Sequence, residues 1–242
     1  MASNPLQQFT ITPLSPSIEV GGFPLSLTNS AAAMLASAAL VMLIAFLAMR
    51  RPALVPQGGQ SLMEQMYGFI ASMLRDNAGD KALPYFPLIF TLFTFILFGN
   101  LLGLIPGSFT FTSHIIVTFA LAIFVFLFVT LLGIVTHGWR FLLLFVPSGV
   151  PKLMLPLMVV IEMISYLSRP VSLSLRLFAN MMAGHIMLKV FASFVFVLGI
   201  GGIVPLALDV ALTAFELLVA FLQAYVFAVL SCLYLGDALN LH

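Results

Sequence analysis

The chain has 242 residues, 62% of them hydrophobic and only 7% charged, with a mean hydropathy of +1.19 and a formal net charge of +1. A water-soluble domain could not cover itself with so few charges, so the composition describes an all-α polytopic membrane protein and excludes a soluble globular domain. The balance of nine Lys+Arg against eight Asp+Glu gives no basic excess for nucleic acid, and the one cysteine, Cys232, gives neither a disulfide framework nor Cys/His metal spacing. No cofactor and no metal are expected. The first 29 residues contain no Lys or Arg, which excludes the n-region of a signal peptide, and Met1 is read as the start of the working protein.

In chain order, residues 1–28 form an irregular surface lead-in with Pro5, Pro13, Pro16 and a Gly21-Gly-Phe-Pro24 turn. A first span covers residues 29–50 and stops at Arg50-Arg51-Pro52, whose charges place that end on the inner side. Residues 60–82 mix apolar side chains with Glu64, Arg75, Asp76, Asp80 and Lys81, which predicts an amphipathic helix lying in the interface. Residues 84–136 are predicted to form a helical hairpin. Its second span runs from Pro84 to Leu104 before Ile105-Pro106-Gly107, and its third from Thr112 to Thr136. The uncharged loop between them is assigned to the outer side, and Arg140 and Lys152 return the chain to the inner side.

After a short apolar piece ending at Pro147-Ser148-Gly149, residues 151–240 are predicted to form a second, much longer hairpin, Pro151–Leu198 and Ile203–Leu239, joined by Gly199-Ile-Gly-Gly202. At ~1.5 Å per residue each arm is roughly twice the ~30 Å hydrocarbon thickness. Strong tilt is the preferred solution, because Gly and Pro interruptions are few. The expected architecture is therefore about five membrane-embedded helices plus the interfacial helix, the last two long and strongly tilted. No internal repeat is detectable, which disfavours an inverted-repeat transporter.

Polar residues inside these arms are the candidate machinery. Glu162, Arg169 and Arg176 recur every seven residues, drifting ~20° per step on an ideal helix, with Asn180 one turn further. His185 and Lys189 leave the same helix from roughly the opposite side. On the last arm Asp209, Glu216 and Gln223 repeat the seven-residue spacing, with Tyr225 close by and Tyr234 back on that face. Two such stripes can meet around water. His titrates near neutrality and a buried Glu can be drawn towards the same range, so His185 and Glu216 suit proton exchange. Arg176 cannot lose its proton and suits a gate or counter-ion. The bland readings weighed beside these are Arg169 as a structural residue next to Pro170, Glu162 as its ion-pair partner, and Asp209 as an interface residue. Gln223 and Asn180 have interhelical bonding as theirs. His114, His137 and His242 are read as solvated span ends.

At these residues a family resemblance becomes specific. The block Ser168-Arg-Pro-Val-Ser-Leu-Ser-Leu-Arg176-Leu-Phe-Ala-Asn180-Met-Met-Ala-Gly184-His185, with Glu216 and Gln223-Ala-Tyr225 on the final helix, resembles the a subunits of F-type ATP synthases. The Asn4-Pro-Leu-Gln-Gln-Phe9 opening is similar to alphaproteobacterial and plant mitochondrial versions. The resemblance implies a non-catalytic, proton-translocating stator with Arg176 as the rotor gate, Glu162 in the inner half-channel, and Asn180, His185, Glu216 and Gln223 in the outer one. Asp209, Tyr225 and Tyr234 are further candidates on the same route. Implied partners are the c-subunit ring, b-type peripheral stalk subunits, other synthase subunits, the lipid bilayer and protons. Many bacterial members carry the acid and the histidine in the exchanged positions, a swap that makes sense if the two side chains meet. The implied location is a bacterial inner membrane or, alternatively, a mitochondrial one. A proton-coupled secondary transporter and a passive scaffold remain the readings from other classes, and the chain has no Gly-rich phosphate cradle.

Overall fold

The computed structural model describes residues 9–14, 18–20, 23–50, 53–105, 107–146 and 154–240. The helices are α1 (Asn29–Met49), α2 (Gly59–Ala78), α3 (Phe86–Gly103), α4 (Ile115–His137), α5 (Leu155–Leu198) and α6 (Ile203–Leu239). Five of them, all but α2, belong to stretches long and apolar enough to cross a membrane. The expected turns at Gly21-Gly22, Arg51-Pro52, Pro106 and Pro147-Ser148-Gly149, together with Lys152 and His242, lie outside the described residues.

The lead-in is more ordered than expected. Strands β1 (Ile18–Val20) and β2 (Phe23–Leu25) pair antiparallel, with Glu19 opposite Pro24. Three-residue strands are too short to show a period, and a two-stranded ribbon tolerates a proline because both strands are edges. Asn29 fastens this segment to α1, accepting from the Thr12 N–H at 3.2 Å and donating to the Thr10 carbonyl at 3.0 Å. Thr28 caps α1 by accepting from the Ala31 N–H.

Helix α2 begins after Gly58 (φ 56°) and ends at Gly79 (φ 81°), left-handed backbone that favours glycine. Its apolar stripe Ile70, Met73, Leu74 and Ala78 is buried in the same core as Phe227, Ala228 and Leu235 of α6. A Cβ on Gly236 would stand 2.8 Å from the Asn77 carbonyl oxygen, so α6 crosses the end of α2 at glycine contact. The chain before α3 is a 3₁₀ turn, Asp80–Tyr85, and α3 starts at Phe86, two residues later than expected. A second 3₁₀ turn, Phe111–Ser113, delays α4 to Ile115, and a third, Gly138–Phe145, follows α4.

Helices α5 and α6 hold 44 and 37 residues without a break, ~66 and ~55 Å at ~1.5 Å per residue. Pro170 withholds one N–H from the α5 ladder, yet the helix continues through it. Upright placement in a ~30 Å hydrocarbon layer is ruled out for continuous helices of this length unless their ends project. Buried positions Tyr166, Pro170, Leu173, Ser174, Leu177, Met181 and His185 mark one face of α5, against α4 and α6. The opposite face is bare.

The Gly236 crossing generates a prediction. Gly236→Ala should destabilise the folded chain by ~1–3 kcal/mol through overpacking against α2. Gly68→Ala, where a Cβ meets nothing within 4 Å, should be neutral or slightly stabilising. Thermal unfolding of the two variants in detergent measures the difference.

Candidate functional site

The seven-residue stripes of α5 and α6 resolve into three polar stations. Nearest the α5–α6 turn, His185 and Glu216 are 7% and 3% exposed, and His185 Nδ1 lies 3.3 Å from Glu216 Oε1. Neither carboxyl oxygen of Glu216 has a hydrogen-bond partner among the described residues. The space for this carboxyl is made by Gly184, where a Cβ would stand 2.6 Å from Oε1. The spacing of the two helices at this height is therefore set by a glycine facing an acid. His185 Nε2 lies 2.9 Å from Thr110 Oγ1, on the loop between α3 and α4.

Beside the pair is a cavity of about 330 Å³ lined by Asn180, Gly184, Glu216 and Gln223, with Phe215 and Leu212 among its apolar walls. So four of the predicted residues, Asn180, His185, Glu216 and Gln223, come together. Asp209 is half-buried two turns along α6, with its Oδ1 unpaired among the described residues. Its charge reaches Glu216.

The middle station is Arg176. It is exposed on the bare side of α5 and makes no hydrogen bond or ion pair with any described residue. Asn180, one turn on, is exposed as well. Ser174, two residues before the arginine and on the other face, is buried against Thr118 of α4 at 3.1 Å.

The third station, towards the far end, holds Arg169. The alternative reading of Glu162 as the ion-pair partner of Arg169 is not what forms. Arg169 Nη1 donates to Asp237 Oδ2 at 2.8 Å, and its guanidinium lies 5.2 Å from the Tyr166 ring centroid and 4.8 Å from that of Tyr234. Asp237 wins because α6 runs antiparallel at contact distance, and two ring faces add cation–π attraction. Tyr234 thus belongs to this clamp. Glu162 is half-buried one helical repeat away from it. Tyr225 does not join the stripe: two residues from Gln223 turns it ~200° away, and its ring packs 5.8 Å from Phe69 of α2.

Several polar partners were missed in sequence. Thr110 and Asn100 lie on the α3 side, Asn100 donating to the Ala220 carbonyl at 3.2 Å with its Oδ1 left unpaired among the described residues. Thr130 meets Tyr166 at 2.6 Å. Only Asp237 had a signal, standing fourteen residues after Gln223 on the same register. His114 also departs from the solvated reading. It stacks on Phe109 at 5.0 Å with Nε2 buried and unpaired among the described residues, and burial pushes its pKa below the ordinary imidazole value.

Comparison with known proteins gives this geometry its context. Residues 31–236 match the family model described as ATP synthase A chain. The chain is 57% identical to the ATP synthase subunit a of Pelagibacter ubique, over the whole of both chains. It is also 57% identical to that of Parvibaculum lavamentivorans, covering 98% of this chain and 94% of the relative, and 51% identical to that of Rhodospirillum rubrum, covering 99% of each. The chain belongs to the ATP synthase A chain family, as a non-catalytic, proton-translocating subunit of the synthase membrane sector in a bacterial inner membrane.

Proposed function

We propose that Arg176 is the rotor gate and that the cavity beside it is the outer half-channel, with His185, Glu216, Asn180 and Gln223 as its polar stations. One observation carries this reading: a permanent cation stands exposed midway along an apolar helix, with no hydrogen bond or ion pair among the described residues. Such a charge costs at least ~2.5–3.5 kcal/mol in hydrocarbon, so its counter-charge comes from a partner. The partner is the ring of c subunits, whose ionised carboxylate meets Arg176 between release of one proton and uptake of the next.

A proton entering from the outer side reaches the His185–Glu216 pair and passes through the Asn180/Gln223 cavity to a ring carboxylate. The neutralised carboxyl leaves the arginine and enters the lipid. After a turn of the ring it releases its proton towards Glu162, on the inner side of the Arg169–Asp237 clamp. Arg176 blocks the direct path between the two routes, since it carries a fixed charge and offers no proton acceptor. Each proton brings ~2.3 kcal/mol per 100 mV of membrane potential. Helix α2 lies along the inner interface, and b-type stalk subunits hold the chain against the torque. Asp209 tunes the outer route through its charge, and Arg169 is structural.

Two outcomes test this. In the reconstituted synthase, Arg176→Ala should assemble and lose proton-driven ATP synthesis, with proton flow either blocked or uncoupled; normal coupled synthesis would overturn the gate. Gly184→Ala should push the Glu216 carboxyl off His185 and slow coupled synthesis about tenfold, the equivalent of ~1.4 kcal/mol of overpacking. Subunit content of the purified complex shows whether assembly is intact in both cases.

A further inference from the structure

The hydroxyl of Thr110 has one proton and two neighbours. It lies 2.9 Å from His185 Nε2 and donates to the Gly103 carbonyl at 3.3 Å. Gly103 is the last residue of α3, where carbonyls have lost their helical partners, and its oxygen takes the threonine hydroxyl instead. With the threonine proton on that carbonyl, Thr110 meets the ring as an acceptor. The contact is built in, because a Cβ on Gly103 would stand 2.5 Å from Thr110 Oγ1, and Thr110 is itself buried.

We propose that Thr110 is a positioning residue that holds His185 as the Nε2–H tautomer, so that the imidazole takes up and gives back protons at Nδ1 alone. This rests on the reading of the outer half-channel above and deepens it. With Nε2–H donating to Thr110, the Nδ1 lone pair faces Glu216 Oε1 at 3.3 Å. The arriving proton binds on that edge, as Nδ1–H beside a carboxylate or as Oε1–H beside a neutral ring, and the proton on Nε2 stays where it is. His185 is then a one-ended proton store rather than a wire conducting from one nitrogen to the other. Conduction through the ring would need Thr110 to turn its proton to Nε2 and abandon the Gly103 carbonyl.

The charged and titratable groups around the pair are Asp209 on α6, whose charge reaches Glu216, and Lys189 one turn along α5, whose charge reaches His185. The loop carrying Thr110 adds only His114, which stacks on Phe109. An Nε2–H is present in both the neutral tautomer and the imidazolium, but it donates more strongly from the charged ring, so losing its acceptor weakens proton loading.

The direct test is nitrogen-15 NMR of histidine-labelled, membrane-reconstituted synthase, with His185 assigned against a His185→Asn sample. A neutral ring protonated at Nε2 is expected, and a ring protonated at Nδ1 would overturn the proposal. In flux measurements Thr110→Val should slow coupled synthesis about tenfold and move its outer-side pH dependence to lower pH, with Thr110→Ser restoring both. An unchanged rate and pH profile in assembled Thr110→Val synthase would equally overturn it. Coupled synthesis surviving in Glu216→Gln would sink the half-channel reading itself. Its loss there, alongside an Nδ1–H signal, would sink the tautomer assignment alone.

Discussion

An ionisable side chain within a hydrocarbon layer has to be matched by another group, because water is not there to do it. The paired long helices meet this constraint in three ways at three heights. Arg169 is satisfied within the chain by Asp237 and two tyrosine rings. His185 and Glu216 satisfy each other only in part, leaving carboxyl oxygens without hydrogen bonds among the described residues. Arg176 is not satisfied by the described residues at all. Among the described residues matching is thus complete at Arg169, absent at Arg176 and partial at His185 and Glu216, so the three heights of the long helices differ in how much charge they leave for another group to meet.

Small residues make these arrangements possible. Gly184 lets the Glu216 carboxyl approach α5, Gly103 lets Thr110 reach the end of α3, and Gly99 accepts the Phe111 ring, where a Cβ would meet ring carbon at 2.3 Å. Without water to drive helices together, close approach and interhelical hydrogen bonds do the packing, and glycine supplies the first. The glycines thus fix the distances at which acid, imidazole and hydroxyl can share a proton.

Much of this was legible in the chain because helices project their sequence onto faces with a known period. The bounds of α1 and α6 and the turn at Gly199–Gly202 follow from hydropathy, charge and glycine, and the meeting of His185 with Glu216 agrees with the exchange of acid and histidine between members of the resembled family. What periodicity does not encode is the rotation of one helix against the next or the path of a loop. Spacing along α5 therefore offers Arg169 only the acid on its own helix and does not disclose Asp237, and nearness in sequence sets Tyr225 beside Gln223 although it faces α2. The 3₁₀ turn at Phe111–Ser113 hid in an apolar run, and with it the hydroxyl that meets His185.

The bare face of α5 has a mechanical side. Along its buried face the helix is pinned to its neighbours at Tyr166 by Thr130, at Ser174 by Thr118 and at His185 by Thr110, each through a hydroxyl. Three pins spread over nineteen residues turn a slender rod into a beam supported along one flank. A partner sliding across the free flank presses the beam into its supports instead of bending it. The guanidinium of Arg176, between the second and third pins, thereby keeps its position while whatever it faces moves past.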